Sequence, residues 1–215
     1  MKKLKKLMIV FTALIAVGCS STHILISSSR YHSPVSHSKI MAVAVIRDDN
    51  DTLRRSIEKN IAMDLVNMGY TSVSALEEFG AGGLSNLGQE KTYLKLCSQG
   101  IDAVIVVTIV DNNKEKQFKT HKSHKYPDNY YYDRIWNYKN IQADLSAENR
   151  GQYGSYFWEA ILFNLNTLEI ECSIQSRPFT SITNQSALSF EEDLFKILLK
   201  EKILKKQDVS RLKPF

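Results

Sequence analysis

Thiol chemistry is the first chemistry that this sequence could carry, because it contains three cysteines. Cys97 follows Tyr93 and Leu94 at helical spacing, and Cys172 alternates with apolar residues along a short segment. Two interpretations of this pair stay open: two buried, unreactive thiols, or a disulfide that ties a helix to a strand. Neither thiol lies in a CxxC motif or beside a basic residue or histidine, so neither is predicted to be catalytic.

The third cysteine, Cys19, ends a leader with a basic start and an apolar centre. Lys2, Lys3, Lys5 and Lys6 precede an apolar run from 7 to 17 that only one threonine interrupts. The run has 11 residues, whereas a helix that crosses a bilayer needs roughly 20. We therefore predict that residues 1–18 are a cleaved signal peptide.

The four residues Ala16-Val17-Gly18-Cys19 resemble the lipobox of bacterial lipoproteins. The resemblance implies that the thiol of Cys19 receives a diacylglyceryl group and that the new amino terminus is acylated, so that the protein is held in a bilayer. Two or more acyl chains give stable anchoring. Ser20 after the cysteine is typical of lipoproteins sent to the periplasmic face of the outer membrane, which is the predicted location; the inner membrane and the cell surface are the alternatives.

The histidines do not form a recognisable metal site. His23, His32 and His37 occur at irregular spacing in a Ser-rich stretch without neighbouring acids or thiols. His121 and His124 are three residues apart, but no third ligand lies near them in sequence. Metal sites need convergent and supported ligands. We expect no metal ion.

No motif of an enzyme is present either. The sequence has no GxSxG or HExxH signature, and Glu77, Glu78 and the acids at 191–193 are interpreted as solvated. The glycine-rich segment 77–88 lacks the spacing of a phosphate-binding loop, so it is predicted to be a flexible connection. We expect no catalytic residue and no cofactor. The alternative is an envelope enzyme or glycan-processing accessory with an unrecognised site.

The overall charge also argues against nucleic acid as a partner. The chain has 28 Lys and Arg against 23 Asp and Glu, but four of the lysines lie in the leader, which leaves 24 against 23 in residues 19–215. A nearly neutral chain has no extended field that would attract a polyanion.

The first half of the mature chain shows alternating strand and helix patterns. Residues 39–46 and 102–110 are apolar on both faces, which favours central strands that lie side by side. Between them the pattern predicts a helix from about 51 to 68, a short strand at 70–75 and a helix at about 89–98. This β-α-β-α-β order predicts parallel strands.

A long segment without periodicity, 111–152, follows the third strand. Loops of this length in compact domains are usually functional or disordered. Tyr130, Tyr131, Tyr132 and Trp136 are crowded into it, and such side chains provide rigid contact area. The segment is either a docking surface for an envelope partner or a lid whose aromatic side chains fold back on the sheet.

The last part of the chain predicts a β-hairpin and a helix. Residues 156–165 are apolar on both faces, and 168–176 alternate, with Glu169, Glu171, Ser173 and Gln175 predicted to face outward. Ser189 is predicted to open the closing helix with a capping box.

The fold class is therefore α/β, a mixed sheet with a parallel centre and an antiparallel hairpin, in the order β-α-β-α-β-(long loop)-β-β-α. The predicted organisation is a lipidated tether at 19–38, one domain at 39–206 and a tail at 207–215.

This order, the hairpin FWEAILFNLNTLEIECSIQS and the closing FEEDLFKILLKEKIL resemble bacterial envelope lipoproteins whose domain is similar to the amino-terminal domain of TolB. The periplasmic part of the curli channel lipoprotein CsgG and the peptidoglycan-synthase activator LpoB look like relatives in fold. The resemblance implies a non-enzymatic binding module with an envelope protein partner, by association of fold rather than by a shared site.

Overall fold

The computed structural model describes residues 23–25, 36–46, 51–81, 83–84, 87–111 and 156–207. Within these ranges the chain forms six strands and four helices. The strands are β1 (His23–Leu25), β2 (Lys39–Val45), β3 (Thr71–Ser74), β4 (Ala103–Asp111), β5 (Tyr156–Asn164) and β6 (Glu169–Gln175). The helices are α1 (Asp51–Asn67), α2 (Ala75–Phe79), α3 (Gln89–Ser98) and α4 (Asn184–Lys200).

The strands form one mixed sheet in the order β1-β6-β5-β4-β2-β3. Strand β2 runs parallel to both β3 and β4, and β5 runs antiparallel to β4 and β6. This confirms the predicted fold class, including the neighbouring positions of the two apolar runs at the parallel centre.

Two cores form because β2 and β4 are apolar on both faces. Alternate residues of these strands point into a first cluster, where α1 and α4 pack, and a second cluster, where α2 and α3 contribute Ala75 and Leu96. Ile40 and Ala42 belong to the first cluster and Met41 to the second. The sheet is therefore the middle layer of three.

Helix α1 follows from its apolar spacing. Leu53, Ile57, Ile61 and Leu65 recur every fourth residue and are at most 3% exposed, as expected for a helix that covers a sheet. Gly69 follows the helix with a φ of 94°, a left-handed conformation that glycine adopts without steric cost.

The flexible connection predicted for 77–88 is wrong at its beginning, because Ala75–Phe79 forms α2. The hydroxyl of Ser74 accepts a hydrogen bond from the Glu77 N–H at 3.2 Å, which caps the helix. A single capping residue and the buried Leu76 are enough to form one turn where the glycines that follow predicted irregular structure.

The capping box predicted at Ser189 is also wrong. Helix α4 begins six residues earlier, where the Ser186 N–H donates to Thr183 Oγ1 at 3.1 Å and the Thr183 N–H donates to Ser186 Oγ at 3.2 Å. Ala187, which is 3% exposed, extends the apolar stripe into this turn. Burial of that extra turn, together with the earlier reciprocal cap, moves the helix start.

The predicted tether, 19–38, contains two parts of the folded unit. Strand β1 pairs with β6 at the edge of the sheet, and His37 is 1% exposed. Gln207, the first residue of the predicted tail 207–215, also contacts the folded unit, since its N–H donates to the Met68 carbonyl at 2.7 Å. These contacts join residues that are far apart in sequence, which explains why local composition did not reveal them.

Candidate functional site

A buried polar site lies just before β2, around His37. The Nε2 atom of His37 lies 2.9 Å from Glu171 Oε2 on β6, and its Nδ1 atom lies 3.8 Å from Asp102 Oδ1 just before β4. An ionised carboxylate can only accept a hydrogen bond, so the contact with Glu171 requires the proton on Nε2. The imidazole thus lies between two carboxylates.

The neighbours of these carboxylates hold three elements together. Asn164 Nδ2 donates to Glu171 Oε1 at 2.8 Å. Asp102 Oδ2 accepts from the Ser38 N–H at 2.7 Å and from its hydroxyl at 2.6 Å. We call His37, Asp102, Asn164 and Glu171 the His37 cluster. It joins the starts of β2 and β4 to the turn between β5 and β6.

The His37 cluster is not arranged for nucleophilic catalysis. Ser38 Oγ donates to Asp102 rather than to the imidazole, and the His37 side chain is 0% exposed. His37 Nδ1 has no hydrogen-bond partner within the described structure. The geometry therefore supports a structural role, a buried hydrogen bond between the imidazole and Glu171.

The exposed polar face predicted for the hairpin is wrong. Glu171, Ser173 and Gln175 are 7%, 0% and 5% exposed. The register between β5 and β6 shifts at Leu162, where the strands form an irregularity. Ser173 Oγ and Gln175 Nε2 donate to Glu159 Oε1 at 3.1 and 3.0 Å. A signal did exist, since Glu159 is an acid in the middle of an apolar strand and requires such partners.

A third buried carboxylate, Glu58 on α1, lies at the carboxyl ends of β2 and β3. Its Oε1 accepts from the Ala44 N–H at 3.0 Å and from Arg54 Nε at 3.1 Å. Its Oε2 accepts from Ser74 Oγ at 2.8 Å and from the Leu76 N–H at 2.6 Å. The side chain is 0% exposed. Four donors compensate its burial, so Glu58 fastens α1 to both strands and to α2.

The two cysteines of the domain are free thiols on opposite faces of the sheet, so the structure does not form the disulfide. Cys172 belongs to the first cluster, whereas α3, which carries Cys97, contributes Leu96 to the second. Burial raises the pKa of the Cys172 thiol to about 12. Alternation along β6 placed Cys172 on an apolar face correctly, but which face it shares with Cys97 depends on the packing of α3.

The remaining predicted site residues, Cys19, Tyr130, Tyr131, Tyr132 and Trp136, lie outside the described residues. Across the ranges given above, no three His, Cys, Asp or Glu side chains converge as metal ligands would. None of the helices in those ranges is long and apolar enough to cross a membrane.

No protein-family model matches the sequence, and no curated protein is significantly similar to it. Among solved structures, the chain is similar to the PelC dodecamer from Paraburkholderia phytofirmans, with 10% identity over 83% of this chain and 97% of that chain and a TM-score of 0.40. It is similar to lipoprotein GNA1162 from Neisseria meningitidis, with 14% identity over 74% and 97% and a TM-score of 0.37. It is also similar to TolB from Acinetobacter baumannii, with 12% identity over 84% and 32% and a TM-score of 0.35. Likeness at these TM-scores assigns no function to this chain.

Proposed function

We propose that this protein is a lipid-anchored, non-enzymatic binding and assembly module of the bacterial cell envelope. Cys19 is its lipidation site, and the periplasmic face of the outer membrane is its location. The basic leader, its short apolar run and the residues Ala16-Val17-Gly18 before the cysteine support this anchoring. Its partner is an envelope protein.

The observation that carries the binding role is the register of β4 and β5. These strands pair along their whole length, and Asp111 lies opposite Tyr156. Neighbouring antiparallel strands can be joined by a turn of about two residues. The chain instead inserts residues 112–155 at this point. The sheet does not require an insertion of this length, so we assign it a role beyond connecting the strands.

The composition of the insertion fits contact with a protein. Tyr130, Tyr131, Tyr132 and Trp136 occur beside charged residues, and this combination is typical of protein-binding surfaces. A lid that packs on the sheet is the competing explanation. The two differ in outcome, because loss of a contact residue removes binding, whereas loss of a lid residue lowers stability.

Site-specific photocrosslinking in living cells tests the proposal. A photoreactive residue replaces Tyr131 in one strain and the exposed Lys59 of α1 in the control strain. A dominant protein adduct from position 131 alone is the expected result. Tyr131→Ala and Trp136→Ala should then reduce adduct formation at position 130 without changing the unfolding midpoint. No adduct, together with a lower midpoint in both variants, would contradict the proposal and identify a lid.

A further inference from the structure

Strand β1 determines which end of the sheet lies near the predicted lipid anchor. Its His23 pairs with Gln175, and Leu25 pairs with Ser173. Gln175 lies in one row across the sheet with Glu159, Thr108 and Val45. We call this the Val45 end of the sheet. The amino-terminal segment therefore meets the sheet at the end where the parallel strands terminate.

The opposite end carries the His37 cluster. There Glu169 lies in a row with Asn164, Ala103 and Ile40, and we call this the Ile40 end. From Ala103 to Thr108 the two rows are separated by five residues of β4, about 17 Å at the usual rise of a strand. A chain that left the domain at His37 without forming β1 would leave from the Ile40 end.

The length of chain before β1 is short. Cys19 precedes His23 by four residues, which span at most about 14 Å when fully extended. Without β1, Cys19 precedes His37 by 18 residues, which span up to about 65 Å. Pairing of β1 with β6 thus replaces a long tether at one end of the sheet with a short one at the other end.

We propose that pairing of β1 with β6 docks the domain with the Val45 end of its sheet against the lipid bilayer that holds Cys19. This inference rests on the proposed lipidation of Cys19. The insertion 112–155 leaves β4 and returns to β5 at this same end. Opening of the three-residue strand β1 releases the domain to the reach of its full tether.

Two exposed residues on either side of β6 report the orientation. Ser181 lies at the Val45 end, because Phe179, two residues before it, exchanges backbone hydrogen bonds with Tyr156 at 2.6 and 2.7 Å. Thr167 lies in the turn before β6, at the Ile40 end. Ser181→Cys and Thr167→Cys, each in a Cys97→Ser background, accept one fluorophore, since Cys172 is 1% exposed. The full lipidated chain is reconstituted in vesicles of phosphatidylethanolamine and phosphatidylglycerol with an acceptor dye on some headgroups.

The label at position 181 should be quenched several-fold more than the label at position 167. Consecutive residues of an antiparallel strand alternate in hydrogen bonding, so either Ile24→Pro or Leu25→Pro removes an N–H that β6 uses. One of the two should reduce the difference between the labels, and Ser28→Pro, outside β1, should preserve it. Equal quenching in vesicle-bound protein, or a bias unaffected by both proline variants, overturns the inference. The proposed lipidation of Cys19 is itself overturned if the mass of the protein shows no lipid and the protein does not float with the vesicles.

Discussion

His37 shows most clearly at the residue scale how position in the fold decides a role. Its side chain is 0% exposed and lies between carboxylates from Asp102 and Glu171. Removal of one partner from a buried hydrogen bond leaves the other partner desolvated and uncompensated. The side chain therefore stabilises the point where the chain enters the sheet.

His37→Ala should lower the free energy of unfolding by about 3 kcal/mol, because Glu171 keeps only its bond from Asn164. Urea unfolding, followed by the emission of the buried Trp158, measures the change. His32→Ala is the matched control, since the sequence predicts this histidine in the tether. Equal stability of the two variants would mean that the imidazole contact contributes nothing.

Glu191 is the residue whose protonation should control stability near neutral pH. It is 4% exposed on α4, accepts a hydrogen bond from Asn60 Nδ2 of α1 at 3.1 Å, and has an Oε1 without a hydrogen-bond partner in the described structure. Burial raises the pKa of Glu191 to about 7, and the nearby charge of Asp64 adds to the increase. The prediction of a solvated acid at 191 is wrong, because the packing of α4 on α1 encloses it.

The pH dependence follows from the direction of this shift. The folded protein holds the Glu191 proton more tightly than the unfolded chain, so the resulting stability is present below pH 4.5 and is lost as pH rises through about 7. Glu191→Gln should match the wild type at pH 4 and exceed its unfolding free energy by up to about 3 kcal/mol at pH 8. Glu192→Gln, at an exposed position, should reproduce the wild-type profile. Parallel profiles for Glu191→Gln and the wild type would refute this assignment.

At the scale of elements, Glu58 links α1 to the ends of β2 and β3. Both of its oxygens accept two hydrogen bonds each. Glu58→Gln places an amide N–H₂ against donors, so it should cost about 3 kcal/mol of unfolding free energy. Glu78→Gln, on the exposed side of α2, serves as the control for a change of one charge. Chemical unfolding of both variants decides the matter, and a loss below that of the control would remove Glu58 from this role.

The placement of α3 and β6 on different sides of the sheet predicts the reactivity of the two thiols. Cys97 is half-buried and Cys172 is 1% exposed with a thiol pKa of about 12. A maleimide should alkylate Cys97 in the native protein and both thiols in denaturant, even after purification under oxidising conditions. Peptide mass spectrometry assigns the sites. A linked peptide that contains both cysteines would show that the fold permits the disulfide after all.

At the scale of the whole molecule, the last described residues close the domain against its first ones. Leu204 is 1% exposed, and the Tyr70 hydroxyl exchanges hydrogen bonds with the Lys205 backbone at 2.9 and 3.1 Å. Gln207 Nε2 donates to the His37 carbonyl at 3.0 Å. The carboxyl-terminal segment thus joins the end of α1 to the start of β2.

A chain truncated after Lys202 should lose about 5 kcal/mol of unfolding free energy, since it lacks the buried Leu204 and these hydrogen bonds. Truncation after Gln207 should change little. If the shorter chain does not fold, Tyr70→Phe provides the graded test, with an expected loss of about 1 kcal/mol. Thermal unfolding of the three proteins measures these effects, and a stable chain that ends at Lys202 would contradict them.

The sequence alone determined the features that depend on local pattern. Strands β2 and β4 were predictable because both faces are apolar, and α1 because its apolar residues recur every fourth position. The parallel arrangement of β2, β3 and β4 followed from the helices between them, because parallel neighbours require crossover connections. The leader before Cys19 is likewise a local pattern.

Only the tertiary structure decided the burial of polar groups and the faces that residues share. His37 and Glu171 are 134 residues apart, and Asn60 and Glu191 are 131 apart. Local periodicity cannot predict such pairs. Whether a carboxylate faces water or a hydrogen-bond donor depends on which strand or helix packs beside it. For the same reason, local pattern did not reveal that Cys97 and Cys172 lie on different faces of the sheet or that His37 belongs to the folded domain. It also did not reveal β1, which forms in a segment whose composition predicts a tether.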